Sequence, residues 1–290
     1  MKFFYKILGI VLFAGALLFD PVLTQANETI FYGVPTISKT GIREAVKEEA
    51  IASLRVLVQR TRNKDSEQIL RMLENGTVVI PTKDGWKAPA FQKEDGIIKI
   101  VVLIPTDAQY PLWYALLTDQ TAFAYFFPGH HAIVLKQSSD FCQLFRAIAI
   151  DHEGWHARYF QKHPESKNAS DIQFAMEERD THEHGNELLS VVGGAPYQAF
   201  LESEIKRWEP LITTENSKQH FPSPTWNYNN ELEKIFGPAK SQAEKNFRKS
   251  FVWADTLFHY IDAHHRGTQA EKEQAKAEAL LEAYKKIGMR

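Results

Sequence analysis

The spacing of apolar positions changes along the chain. Over residues 41–75 they recur at helical spacing in two pieces, "GIREAVKEEAIASLRVLVQRT" and "DSEQILRMLENG", and Asn75-Gly76 closes the second with a stop and turn signal. "TVVIP" and "GIIKIVVLIP" are β-branched runs ended by proline, which predicts strands. "QYPLWYALLTD" fits either element. "TAFAYFF" and "HHAIVLKQ" flank Pro128-Gly129, the pattern of a hairpin. From Asp140 onward the spacing is mostly helical, broken by polar, proline-bearing loops at 161–170 and 210–230. The tail from Gln269 to Ile287 has helix-forming composition and a narrow apolar stripe, with its charge expected to form a solvated face. No internal repeat or composition break divides the chain. The pattern predicts a single α+β domain over residues 27–290, predominantly helical, with a small sheet ahead of its central helix.

Residues 1–26 stand apart. Lys2 and Lys6 precede an apolar run from Ile7 to Phe19, and Thr24-Gln25-Ala26 offers small residues where an export peptidase cuts. The run is well short of the ~20 residues that span a bilayer. A signal peptide is therefore expected, and with it a periplasmic or secreted protein. The alternative is a membrane anchor retained at residues 7–19, the only route to a membrane in this sequence.

Composition narrows the function classes. The chain has 290 residues, 44% hydrophobic and 24% charged, with net charge −2, enough apolar material for a core. No basic face is dense enough to neutralise phosphates, so nucleic acid is not an expected partner. There is one cysteine, Cys142, so an exported chain has no internal disulfide and relies on packing or a metal. Cys142 itself is expected to be a small buried apolar residue.

The densest chemistry lies in "AIAIDHEGWHARYF", where His152, Glu153 and His156 read H-E-x-x-H. Asp140 with Gln143 is a candidate capping box for this helix. On the helical wheel Phe141, Leu144, Phe145, Ile148, Trp155 and Tyr159 share one face; His152 and His156 fall within it and Glu153 at its edge. Imidazoles at i and i+4 can present two nitrogens to one zinc ion at ~2.0–2.1 Å. The adjacent glutamate then serves as general base for the attacking water. The bland alternative is a pair of core histidines satisfied by hydrogen bonds.

A catalytic zinc ion needs a third protein ligand. H-E-x-x-H-x-x-G-x-x-H fails here, since Tyr159 and Lys162 hold its glycine and final histidine positions. "NASDIQFAMEERDTHEHGNELLSVV" supplies carboxylates on a second helix, opened by Ser170 and Gln173 as a capping box. Phe174, Leu188, Leu189 and Val192 mark its buried side. Glu178 lies about 40° from the Phe174 direction and Glu177 about 60° on the other side, while Arg179, Glu183 and Glu187 face outward. A carboxylate within an apolar stripe is unfavourable unless paired or bound to metal. Glu178 ranks first as third ligand and Glu177 second, ahead of Asp180 and His184.

His152-Glu153-x-x-His156 with a glutamate 22 residues beyond His156 resembles the gluzincins, the thermolysin-like zinc metallopeptidases, and most closely their smallest single-domain members. The resemblance covers roughly residues 130–195. It implies a zincin-like fold, zinc held by His152, His156 and Glu178, Glu153 as base, and a peptide or protein substrate. It also implies that the strand before the active helix, "HAIVL", binds extended substrate by main-chain pairing. Two positions depart from the pattern. His182 stands four residues after Glu178, where the family has Asp or Asn to steady a zinc histidine; it can take that role or be the third ligand. Arg158 replaces an apolar residue. These departures motivate a second reading, a catalytically inactive zincin-fold binding or structural protein, with or without zinc. Candidate auxiliary donors are His130 and His131 at the turn, His259, His264 and His265 on a late helix, and Tyr125, Tyr159 and Tyr197. Asp151 and Arg158 flank the motif, either facing solvent or orienting a histidine.

Overall fold

A computed structural model describes residues 38–82, 98–119, 122–128, 131–137, 140–163, 170–212, 221 and 229–286. The signal peptide or anchor expected within residues 1–26 lies outside them, as does His130. Among the described residues no helix is long and apolar enough to cross a membrane.

The two N-terminal helices form as their pattern predicts. α1 (Lys39–Thr61) starts where the Ser38 hydroxyl accepts from the Gly41 amide, and ends on Arg62 in the left-handed region. Asn63 then caps α2 (Lys64–Glu74) by accepting from the amides of Asp65 and Ser66. Asn75-Gly76 turns the chain into a four-stranded mixed sheet of β1 (Thr77–Val79), β2 (Lys99–Leu103), β3 (Ala124–Phe127) and β4 (Ala132–Lys136), in the order β1-β2-β4-β3. The ambiguous "PLWYALLT" is helix α3 (Pro111–Thr118), with proline supplying its first turn.

β2 runs parallel to both neighbours, and only β3 is antiparallel to β4. This explains the unbroken apolar runs. Ile100, Val102, Ile133, Leu135 and Phe126 face the main core under α1 and the helices that follow, while Val101, Leu103, Val134 and Tyr125 face Trp113 and Leu116 of α3. Strands covered on both faces cannot alternate. The topology also corrects one expectation. "HAIVL" is β4 and is paired on both sides, so it cannot accept an added strand; among the described residues β3 is the outer strand on that side.

The rest is helical: α4 (Gln143–Lys162), α5 (Asp171–Trp208), α6 (Asn229–Phe236), α7 (Gln242–His264) and α8 (Gln269–Lys286). α4 packs on α1, α2, α5 and β3, so its length runs through the middle of the protein. Its start differs from expectation. Asp140 does not cap it; the cap residue is Cys142, whose amide donates to Glu244 Oε2 of α7 at 3.0 Å. Glu244 is fully buried, also accepts the Lys240 amide at 2.9 Å, and pairs with Arg248. A carboxylate from a distant helix thus neutralises the positive end of α4. In α5 the Ser170–Gln173 capping box forms as read, and the helix is broken at Gly194, where φ is 56°, two residues before Pro196.

Gly154, inside the H-E-x-x-H segment, is set by packing. A Cβ there would stand 2.2 Å from Ile69 Cγ2 and 3.2 Å from Ile69 Cβ. Ile69 is β-branched and fully buried on α2, so it cannot swing aside. Gly154→Ala is expected to destabilise the protein by about 1–3 kcal/mol through overpacking, an effect that exceeds the gain of up to ~1 kcal/mol in helix propensity. Thermal denaturation checks this, and an unchanged or raised Tm would contradict the close α2–α4 approach.

Candidate metal centre

α4 places His152 and His156 one turn apart and α5 brings Glu178 against them. His156 Nε2 lies 3.3 Å from His152 Nε2 and 3.4 Å from Glu178 Oε1, and His152 Nε2 lies 3.9 Å from Glu178 Oε2. One ligand atom from each residue falls within 4.8 Å of the others. Ligands ~2.0–2.1 Å from a tetrahedral ion stand about 3.3–3.4 Å apart. The two His156 separations have this value, while His152 comes nearest to the other carboxylate oxygen, Oε2, at 3.9 Å. The group can hold a metal ion.

The surroundings orient the donors. Glu177 Oε1 lies 2.8 Å from His156 Nδ1, which fixes the proton on Nδ1 and leaves the Nε2 lone pair facing the triad. The Phe126 ring of β3 stacks on the His156 imidazole, with centroids 6.5 Å apart and planes 9° from parallel. The Tyr284 hydroxyl of α8 donates to Glu178 Oε2 at 3.3 Å. Glu177, the second-ranked ligand, therefore contacts the far nitrogen of His156, away from the triad. His182 lies with its ring edge against His152, centroids 5.2 Å apart, and against Phe251 at 4.9 Å. The Nδ1 atoms of His152 and His182 are buried with no hydrogen-bond partner among the described residues, so His182 does not steady His152 by a hydrogen bond.

Charge is the second argument for a cation. Glu153, Glu177 and Glu178 are all buried around the triad. Burial alone lowers the basicity of His156, but Glu178, Glu177 and Glu153 outweigh it and raise its pKa to about 10. Burial pushes the Glu153 carboxyl up to about 8, helped by Glu178 and opposed by His156 and the Phe126 amide. Burial also drives His152 well below its usual value and His182 down to about 3. Among the described residues the site cation is then His156, facing Glu177 and Glu178, with Glu153 neutral below about pH 8. A divalent ion balances that excess better than one proton does. Glu153 Oε2 is buried beside the triad with no hydrogen-bond partner among the described residues.

Other sequence candidates fall elsewhere. Asp151 is buried and bonds His184 Nε2 at 2.6 Å, and Ser66 Oγ lies 3.5 Å from the same nitrogen. Serine, histidine and aspartate here form no catalytic relay, because a relay needs the two partners on opposite ring nitrogens. They tie α2, α4 and α5 together. Arg158, also buried, pairs with Asp65 at 2.8 Å and covers Trp155. Asp180 pairs with Arg179, which is buried rather than outward-facing, and Glu183 pairs with Lys276 of α8 at 2.7 Å. His131 is buried against Gln161 at 2.9 Å; His259 pairs with Asp255 at 3.0 Å and His264 with Glu209 at 3.6 Å. Tyr125 bonds Asp119 and Tyr197 bonds Asp255, while the Tyr159 ring packs on His163. Only Tyr284 reaches a triad residue among the tyrosines described, and its one sequence signal was its place in the apolar stripe of the tail.

No known protein family matches the chain, and neither do curated proteins or solved structures.

Proposed function

We propose that this protein is an exported zinc-dependent metallohydrolase of gluzincin type that cleaves peptide bonds in peptide or protein substrates. The observation that carries this reading is the donor set: two imidazole nitrogens and one carboxylate converge within 4.8 Å of one another, with Glu153 beside them. Two nitrogens and one oxygen suit zinc, and three protein ligands leave a position open, the hallmark of a catalytic rather than a structural site. Export rests on the leader pattern in residues 1–26.

When bound, zinc supplies Lewis acidity that polarises a carbonyl and makes a water molecule acidic near neutral pH. The chain supplies the rest. His152, His156 and Glu178 hold the ion, and Glu177 keeps the His156 proton on Nδ1. Glu153 takes a proton from the attacking water on Oε2 and passes it to the leaving amine. The Phe126 amide is close enough to Glu153 to favour its charged form, and β3 is the outer strand on that side among the described residues. Substrate alignment is accordingly assigned to β3 rather than β4.

The direct test is metal content of the purified protein by mass spectrometry, with Glu178→Ala and Glu177→Ala alongside. About one zinc per chain is expected, lost in Glu178→Ala and kept in Glu177→Ala. Absence of zinc after refolding with zinc supplied removes the enzyme reading. One observation favours the inactive alternative: the side chains of His152, His156 and Glu178 are only 11%, 4% and 5% exposed. A closed site suits a zinc-stabilised binding protein, and that reading expects zinc to bind without hydrolysis.

A further inference from the structure

We propose that Tyr284, on the last helix of the chain, is a positioning residue for the metal centre, so that docking of α8 and binding of the ion are coupled. This rests on the reading of His152, His156 and Glu178 as a metal site. The contact is specific. Tyr284 is 3% exposed, and its hydroxyl reaches Glu178 Oε2 at 3.3 Å while Oε1 is the oxygen nearest His156 Nε2. A glutamate carboxylate turns easily about its last bond. A donor on Oε2 restricts that rotation, reserves Oε1 for the ion and favours single-oxygen ligation.

The rest of α8 makes this contact dependable. About one and two turns before Tyr284, which sits against Phe174, Leu281 and Ala277 pack with Ala175 and Ile172 of α5. Lys276 is 3% exposed and is held by Glu183 at 2.7 Å and Asp262 at 3.0 Å. The face of α5 that carries Glu178 is thus clamped along α8, with the phenol at the end nearest the ligand. Because coupling is reciprocal, whatever loosens α8 weakens the ion, and the ion steadies α8.

The test is zinc affinity of the full protein, measured by competition with a chromophoric chelator, for the wild type, Tyr284→Phe and Phe174→Leu. Tyr284→Phe keeps the ring and removes only the donor. It is expected to weaken zinc about 10–100-fold, as loss of an outer partner of a metal ligand typically does, with the zinc-free Tm lowered only by the loss of one hydrogen bond. Phe174→Leu keeps the hydroxyl and loosens only the packing of α8 on α5, so its affinity should fall by clearly less than that of Tyr284→Phe. Unchanged affinity in Tyr284→Phe overturns the inference and leaves the metal site standing. Equal losses in the two variants overturn it as well, since packing alone would then explain the effect. A wild type that binds no zinc removes the site itself, a result seen before any substitution is made.

Discussion

Glu153→Gln is expected to lower kcat/KM for peptide hydrolysis by about 10²–10⁴-fold, the usual contribution of a positioned general base, while zinc content stays at the wild-type level. The reason is that the substitution separates chemistry from ligation. Glutamine keeps the length of the side chain and an oxygen that can face the Phe126 amide, the backbone group that favours the charged form of Glu153. It loses only the ability to take a proton. It also removes a buried carboxyl that burial has pushed up to about 8, so the fold should not be weakened. Zinc content and a peptide-cleavage assay on the same preparation give the answer. Retained hydrolysis would remove Glu153 from the mechanism. If wild type and variant both bind zinc and neither cleaves peptides, the inactive binding or structural protein becomes the better account.

The parts of this site that were legible in the sequence are those set by one helix at a time. Helical periodicity aims His152 and His156 at the interior and puts Glu178 within the buried arc of the next helix, and the three meet. Periodicity gives direction but not reach, which is why Glu177 and Glu178 were both open as ligands. Rotating by one residue moves a carboxylate from the triad to the opposite side of the same imidazole, where Glu177 lies. Contacts between distant segments left no local signal. Glu244 takes over the capping of α4 from 102 residues away, and Asp140 looked adequate only because that partner was invisible. Tyr284 meets Glu178 across 106 residues. Charges that looked solvated, Arg158 and Arg179 among them, are buried because another element covers them. The interior place of β4 was hidden because its parallel pairing with β2 depends on topology.

Removing the metal is expected to lower the Tm, and the deficit should widen as pH rises. Zinc at a hundredfold excess over its Kd stabilises by about 2.7 kcal/mol through mass action. The pH dependence follows from what replaces the ion. In the metal-free protein His156 holds a proton, because its pKa rises from 6.5 to about 10 against Glu178, Glu177 and Glu153 despite burial. That contribution is fully present below pH 6.5 and is lost as pH climbs through 10. Glu153, raised by burial from 4.5 to about 8, loses its contribution in the same direction. His152 and His182, lowered by burial, favour folding as pH rises, but only up to their unfolded value of 6.5. Above that value nothing in the triad opposes the decline. Each proton the folded state retains alone is worth about 1.4 kcal/mol per pH unit. The loaded protein escapes this loss, because His156 gives its Nε2 lone pair to the ion and has no proton there to surrender. Thermal denaturation with and without chelator, stepped upward from pH 6.5, measures the gap directly. A gap that stays constant or narrows would mean that the proton and the ion do not compete for His156. No gap at any pH would mean that the buried glutamates around His156 are held by that proton alone.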